Sequence, residues 1–281
     1  MRLLEFGMRN SVFNLRFDSD SLASRFERSF VDALAVFGAG QACIELEVTG
    51  EGLYTAFING GFAEAGLTEG LLSLRVTRLF GEALRSSISV EECSLHASSV
   101  AMGSKAICFV GKSGAGKSTL SLLASRYGQY MGDEYAVLNM REGTVYHEPY
   151  PVQVKEGSAA LFPGVDFSQY LALDNEGAFF SHLVPVADVS GEVVPFRSPV
   201  PVGAIVFPFF DGRSSETVLK RLPLSVLPGH LLSSIAGRKA PAMLVRDFIR
   251  FMADRNVPVY TVTYSDGFDA AMRLAKELAG R

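Results

Sequence analysis

The octapeptide Gly111-Lys112-Ser113-Gly114-Ala115-Gly116-Lys117-Ser118 constrains this chain more than any other stretch, because it meets every specified position of the phosphate-binding loop pattern. Its glycines let backbone N–H groups turn inward around phosphate oxygens where a Cβ would stand in the way. In that pattern the lysine reaches the β and γ phosphates and the next hydroxyl goes to the Mg2+ that bridges them. The helix opening there adds the positive end of its dipole. The flanks agree with the pattern. Ala106-Ile107-Cys108-Phe109-Val110 reads as a short buried strand entering the loop, and Ser118 to Tyr127 as a helix that Gly128 ends. The expectation is an α/β fold in which Gly111, Ser113, Gly114, Ala115, Gly116, Lys117, Ser118 and Thr119 hold a nucleoside triphosphate.

A chain of 281 residues, 48% of them hydrophobic, has room for the core of one large or two modest domains. The net charge is −4 and the basic residues are scattered, so the footprint of a nucleic-acid or acidic-membrane binder is missing, and neither partner is expected. The longest apolar run, Pro199 to Phe210, is broken by prolines and far short of the ~20 residues a membrane span requires. Met1 to Arg16 mixes arginine and glutamate into its apolar residues and lacks the apolar core and small-residue cleavage site of a signal peptide. A cytoplasmic location is expected. Cys43, Cys93 and Cys108 are widely spaced, two of them within apolar strand-like runs, and read as small buried thiols rather than as a disulfide framework or metal site.

Residues 1–90 alternate strand and helix patterns and read as a small α/β unit of open role. The patterns predict a strand at Ser11 to Phe17, a helix at Ser21 to Phe37, a strand pair within Cys43 to Ile58 around Gly50-Glu51-Gly52, and a helix at Thr68 to Arg85. Residues 91–281 are expected to form the nucleotide-binding domain. Strands are predicted at Gln129 to Met131, Tyr135 to Met140 and Thr144 to His147, and Pro149 and Pro151 argue against a central strand beyond them. Gly157 to Pro201 reads as long, mobile connections. The remainder predicts a buried strand at Ala204 to Phe209, helices around Leu224 to Ala236 and at Pro241 to Arg255, a strand at Val257 to Tyr264 and a helix at Phe268 to Leu278.

A phosphate cradle does not by itself say where phosphate goes, so the neighbouring acids and bases matter. Asp133 and Glu134 follow the short strand after the loop's helix, and ligands of open α/β sheets lie outside the carboxyl ends of strands, which returns this pair to the loop's edge. One carboxylate would accept the proton of an acceptor hydroxyl while the other helps to hold Mg2+. An ordinary acidic turn is the competing reading. His96 is placed by a hairpin argument: the apolar runs Cys93 to Ala101 and Ala106 to Val110 flank Met102-Gly103-Ser104-Lys105, and with Gly103-Ser104 as the central pair His96 faces Gly111. An imidazole there suits a phosphate oxygen or the carboxylate pair, with a hydrogen-bonded structural histidine as the alternative.

His147, His182 and His230 show no ligand spacing and are assigned no role. Arg197, Arg213, Lys220, Arg221, Arg238, Lys239, Arg246 and Arg250 include enough cations for one to stabilise a transferring phosphoryl group, and spacing does not choose among them. Asp174-Asn175-Glu176-Gly177 matches a switch-type DxxG, but no Asn-Lys-x-Asp guanine reader occurs, which argues against a GTPase. The absence of a Ser-Gly-Gly signature and of a terminal acidic pair argues against an ABC-type ATPase.

Leu95-His96-Ala97-Ser98-Ser99 on a strand, the glycine-rich loop and Gly132-Asp133-Glu134 stand in one register. Together they resemble the kinase domain of HPr kinase/phosphorylase and its wider group, whose core is similar to that of phosphoenolpyruvate carboxykinase. The resemblance covers about Cys93 to Asn139 by motif and extends to the C-terminus by element order alone. It implies an HPr-kinase-type P-loop kinase core with Lys117 and Ser118 as the phosphate and Mg2+ residues, Asp133 as acid/base at the acceptor hydroxyl, Glu134 as its metal-side partner and His96 as a supporting histidine. Asp133-Glu134 replaces the family's usual pair of aspartates, and the second glycine-rich signature has no counterpart downstream. The resemblance therefore points to the shorter HPr-kinase-like proteins. The expected activity is ATP- and Mg2+-dependent transfer of the γ-phosphoryl group to a hydroxyl, with a serine of a protein or peptide as the leading acceptor and a small molecule as another. A homo-oligomer is allowed. The alternatives are a nucleotide-binding regulatory protein without transfer and a small-metabolite kinase.

Overall fold

The computed structural model describes residues 1–8, 11–34, 42–148, 150–174, 180–190, 194, 198–213 and 216–278. The chain forms two compact units, one of Met1–Ser87 with Pro149–Val189 and one of Ile88–Glu148 with Ser190–Arg281. The first unit takes in the boundary expected near residue 90 and also a segment, 149–189, that was expected with the second.

The first unit begins with β1 (Arg2–Met8) and β2 (Ser11–Phe17), paired antiparallel. Next come α1 (Asp20–Ser29) and α2 (Val31–Leu34), and then β3 (Ala42–Thr49), which runs parallel to β2. Ser19 caps α1 by accepting the Leu22 N–H at 3.3 Å, and Asp20 complements the helix dipole. β4 (Tyr54–Ile58) and β5 (Gly61–Leu67) complete a five-stranded sheet in chain order. They are joined through Asn59-Gly60, both at positive φ, as a tight type I′ hairpin turn demands. α3 (Glu69–Ser87) turns Leu72, Val76, Phe80 and Leu84 inward at helical spacing. Its Phe80 ring meets Phe13 at 4.3 Å and Phe30 at 5.1 Å between centroids, both edge-on. This favours the ring edge over the electron-rich face and adds to the burial of six fully enclosed phenylalanines, Phe6, Phe13, Phe17, Phe26, Phe30 and Phe80.

The chain then enters the second unit with β6 (Glu92–Leu95), β7 (Ala97–Met102) and β8 (Lys105–Val110). α4 (Lys117–Ala124) ends in a 3-10 turn at Ser125–Tyr127 and is followed by β9 (Gln129–Gly132), β10 (Ala136–Asn139) and β11 (Thr144–Tyr146). A return to the first unit supplies β12 (Val152–Lys155), α5 (Glu156–Ala159), β13 (Leu171–Asp174), β14 (Phe180–Val184) and α6 (Val186–Val189), with the strands forming a small antiparallel sheet in the order β12-β14-β13. α3 packs on β13 at Gly70, where a Cβ would stand 2.7 Å from that of Asp174.

The second unit closes with β15 (Pro199–Phe210), β16 (Val218–Leu222), α7 (Leu227–Leu231), β17 (Ile235–Ala236), α8 (Pro241–Asp254), β18 (Val259–Tyr264) and α9 (Gly267–Leu278). Its ten-stranded sheet has β15 between β8 and β18, all three parallel, and every other pairing antiparallel. β8 and the middle of β15 read as continuous apolar runs because they are buried on both faces, whereas β18 alternates the partly buried Thr261 and Thr263 with buried residues. Phe248, Met252, Leu227 and Leu231 of α8 and α7 join the core cluster, and α4 packs on α9, where Gly267 lets Leu123 approach. Cys93 and Cys108 are buried and free, as expected, and burial pushes the Cys108 thiol up to about 12, whereas Cys43, also expected to be buried, is exposed on the sheet of the first unit.

The observed fold is α/β, as the alternation predicts. Gly157 to Pro201, expected as connections, instead contains β13 and β14. Short four- and five-residue strands among Pro, Gly and Ser leave too little period for a sequence reading. The helix expected through Ala236 stops at Leu231 and gives way to β17. β1, β5 and β16 are additional strands. No helix among the described residues is long and apolar enough to cross a membrane.

Candidate functional site

β8 is buried from Ala106 to Val110 and ends at the carboxyl edge of the parallel trio, where the glycine-rich loop begins. At such an edge backbone amides are unsatisfied by the sheet and face a ligand. The β7–β8 hairpin has the expected register, from Met102↔Lys105 to Ala97↔Val110. His96 therefore stands one step beyond the ladder, opposite Gly111, at the joint of β6 and β7, and its N–H donates to the Ser234 carbonyl at 2.7 Å.

The loop's glycines are required by geometry. Gly114 lies at φ +83, and Gly116, the N-cap of α4, at φ +90. A Cβ on Gly116 would stand 2.2 Å from the Tyr264 hydroxyl oxygen at the end of β18, so a side chain there would displace the tyrosine as well as strain the backbone. Sequence reading gives Tyr264 no place at the loop, since its strand lies far along the chain.

Lys117 opens α4 and is only 7% exposed. Its Nζ donates to the Gly111 carbonyl at 2.9 Å and the Lys112 carbonyl at 3.2 Å, and lies 3.2 Å from His96 Nε2. An ammonium can only donate, so Nε2 accepts and the ring proton belongs on Nδ1. That nitrogen faces Glu134 Oε2 at 3.3 Å. His96 thus links the loop lysine to the acidic turn.

Ser118 Oγ donates to Asp133 Oδ1 at 2.9 Å. Asp133 is 1% exposed, and burial first, then the charge of Glu134, pushes its carboxyl up to about 6. The Ser118 hydroxyl, the Glu134 N–H and Lys117 pull the other way. Glu134 sits at φ +66, a left-handed conformation that costs a non-glycine residue roughly 1 kcal/mol or more. The turn therefore holds two unfavourable features, a buried carboxyl and a strained backbone, at one place. Ser113 lies in the exposed loop and Thr119 in the first turn of α4.

His147, given no role by its spacing, lies behind this turn: its Cδ2 is 3.7 Å from where a Cβ on Gly132 would be. Its Nδ1–H donates to the Val194 carbonyl, and burial lowers its pKa to about 4, so the ring is neutral. The candidate cations separate by position. Arg238 donates to the Ile88 carbonyl, and Lys239 and Arg246 both pair with Asp247. Arg250 is on α8, and Lys220 and Arg221 are on β16. Arg213 follows the carboxyl end of β15, and Arg197 lies outside the described residues. Asp174 ends β13 in the first unit, while residues 175–177 of the DxxG match lie outside the described residues. Among the described residues no group of three or more His, Cys, Asp or Glu side chains stands ready to hold a metal; the side-chain oxygens beside the loop include those of Ser118, Asp133, Glu134 and Tyr264.

No family model matches this chain, and no curated protein matches it. Among solved structures, the Hpr(Ser) kinase/phosphatase from Coxiella burnetii aligns over 65% of this chain and 91% of its own, at 11% identity and a TM-score of 0.29. That likeness is distant, and the function proposed next stands on the chain's own residues.

Proposed function

We propose that this chain is an ATP- and Mg2+-dependent phosphotransferase that moves the γ-phosphoryl group to a hydroxyl, with a serine of a protein or peptide as the leading acceptor. The observation that carries the reading is the meeting of Lys117, Ser118, Asp133, Glu134 and His96 at the carboxyl edge of β8, in a loop where glycine alone fits. The loop amides and Lys117 hold the β and γ phosphates and stabilise the charge that spreads over the phosphoryl oxygens. Ser118 and Glu134 offer hard oxygens of the kind Mg2+ takes, one hydroxyl and one carboxylate beside the substrate's phosphates. Mg2+ when bound neutralises the phosphate charge.

Asp133 is the base. With its carboxyl near 6 it is ionised at neutral pH yet basic enough to take the acceptor proton as the new P–O bond forms and ADP leaves with the β–γ bridging oxygen. His96 holds Lys117 and Glu134 in place through its two ring nitrogens. The test is incubation of the protein and of its Lys117→Ala variant with γ-labelled ATP and Mg2+ in a cell extract, separated by a size-cutoff filter. Label on a macromolecule with the wild type alone supports the protein or peptide acceptor, and label on a small molecule supports the same chemistry with a metabolite acceptor. ATP binding with no transfer to any acceptor would overturn the reading in favour of a nucleotide-binding regulator.

A further inference from the structure

We infer, on the nucleotide reading of the glycine-rich loop proposed above, that Phe210 is the platform on which the base of the bound nucleotide stacks, and that the site takes purine nucleoside triphosphates ahead of pyrimidine ones. β15 runs beside β8 with Val206 opposite Phe109, and it continues to Phe210 where β8 stops at Val110. Successive side chains of a strand alternate between its faces. Phe207 lies against the His230 ring of α7, 4.5 Å between centroids, so Phe210 is on the other face, beside the start of α4. Its Cβ is 3.9 Å from where a Cβ on Gly116 would be.

Single exposed phenylalanines are ordinary on protein surfaces; two observations set this one apart. Its ring is backed by a fixed neighbour: Tyr264 is 3% exposed, its hydroxyl donates to the Gly116 carbonyl at 3.5 Å, and it meets the Phe210 ring edge-on with centroids 5.7 Å apart. Phe210 itself is 54% exposed, and the chain turns away from it at Gly212, φ +61. An aromatic ring held in place loses little entropy when a second ring stacks on it.

The reacting end of the nucleotide is held elsewhere on the loop. Ser118 bonds to Asp133, and Lys117 lies beside His96. Gly116 and Ser118 are two residues apart at the start of α4, roughly 200° around its axis, so Asp133 and Phe210 lie on opposite sides of the loop. In the sheet, too, β7 flanks β8 on one side, with β9 and its acidic turn beyond, and β15 flanks it on the other. With the γ phosphate toward Asp133, the ribose and base leave toward Phe210. A phenyl ring has no hydrogen-bond donor or acceptor, so it ranks bases by stacking area rather than by their edges, and two fused rings offer more area than one.

The chain has no tryptophan, so Phe210→Trp places a single indole at the platform. ATP with Mg2+ is expected to quench its fluorescence, and inorganic tripolyphosphate with Mg2+, which carries the phosphates without the base, to leave it unchanged. Phe210→Ala, checked for folding by circular dichroism, is expected to weaken ATP by about fivefold or more in equilibrium binding and to leave tripolyphosphate within about twofold of the wild type. The wild type is expected to bind ATP about threefold or more tighter than CTP. The inference is overturned if folded Phe210→Ala binds ATP as tightly as the wild type, if it loses tripolyphosphate as much as ATP, if ATP leaves the emission of folded Phe210→Trp unchanged, or if CTP binds as tightly as ATP. A different result marks failure of the nucleotide reading itself, which takes this inference with it: neither ATP nor tripolyphosphate binding the wild type more tightly than Lys117→Ala.

Discussion

The two compact units bury different kinds of residue. The first encloses phenylalanines against one another from β1, β2, α1 and α3, beside the partly buried Asp32 and Glu69, whose carboxyls burial pushes up. The second has the larger apolar core but also buries Lys117, Asp133 and His147 and holds Glu134 in a strained backbone. Burying ionisable groups without full compensation costs stability, and such costs concentrate where a protein does chemistry. The difference teaches that aromatic packing dominates the first unit, while the fully buried ionisable groups gather beside the glycine-rich loop of the second.

The sharpest way to break that contrast is Asp133→Asn. It is expected to lower phosphoryl transfer at least 1000-fold while ATP still binds, as measured by single-turnover transfer and equilibrium binding. The same change is expected to raise stability at pH 8 by about 1–3 kcal/mol, because an ionised carboxyl pushed up by about two units resists burial. Lower stability in the denaturant midpoint at pH 8, or wild-type turnover, would show that Asp133 is structural. Phe80→Ala should behave in the opposite sense. Leaving a cavity amid edge-on rings, it is expected to cost about 3–5 kcal/mol with ATP affinity of the folded protein unchanged. A parallel loss of affinity would mean that the first unit shapes the site after all.

The pH dependence of stability offers a finer test. Asp133 binds a proton more tightly in the folded chain than at its ordinary 3.8, so its contribution is greatest below about pH 4 and falls as pH rises toward 6. His147 binds one less tightly than at its ordinary 6.5, so its contribution is greatest above 6.5 and falls as pH drops toward 4. The windows overlap with opposite sign. Asp133→Asn is expected to steepen the loss of stability between pH 6 and 4, and His147→Gln to flatten it, as read from denaturant midpoints across that range. Slopes that do not move would remove both groups from the balance. The smallest expected effect is that of Ser19→Ala, which removes the cap of α1 and is expected to cost about 1 kcal/mol in the same measurement without altering ATP affinity.

Legibility followed the range of the interaction. The glycine-rich loop, its flanking strand and helix, and the β7–β8 register were readable because each depends on a few adjacent residues. The register even placed His96 opposite Gly111, although its contacts with Lys117 and Glu134 required the fold. Asn59-Gly60 is a strong local hairpin signal, and β5 beyond it is legible in hindsight; its mostly exposed residues Gly61–Leu67 lack the alternation that marks a strand. β13 and β14 were hidden for another reason: they pair with each other across five residues but are too short to show a period, and β14's second partner β12 and the packing of α3 on β13 lie further along the chain.

By itself the sequence determined the α/β class and a turn of backbone that glycine alone can make, because both follow from periodicity and from φ preferences within a short window. Tertiary structure alone decided that Tyr264 closes over Gly116, that His147 backs the acidic turn, that segment 149–189 returns to the first unit and that Phe210 stands beside Gly116. Each of those depends on which distant strands become neighbours, and that is settled by burial and hydrogen-bond satisfaction summed over the whole sheet, which no local window contains.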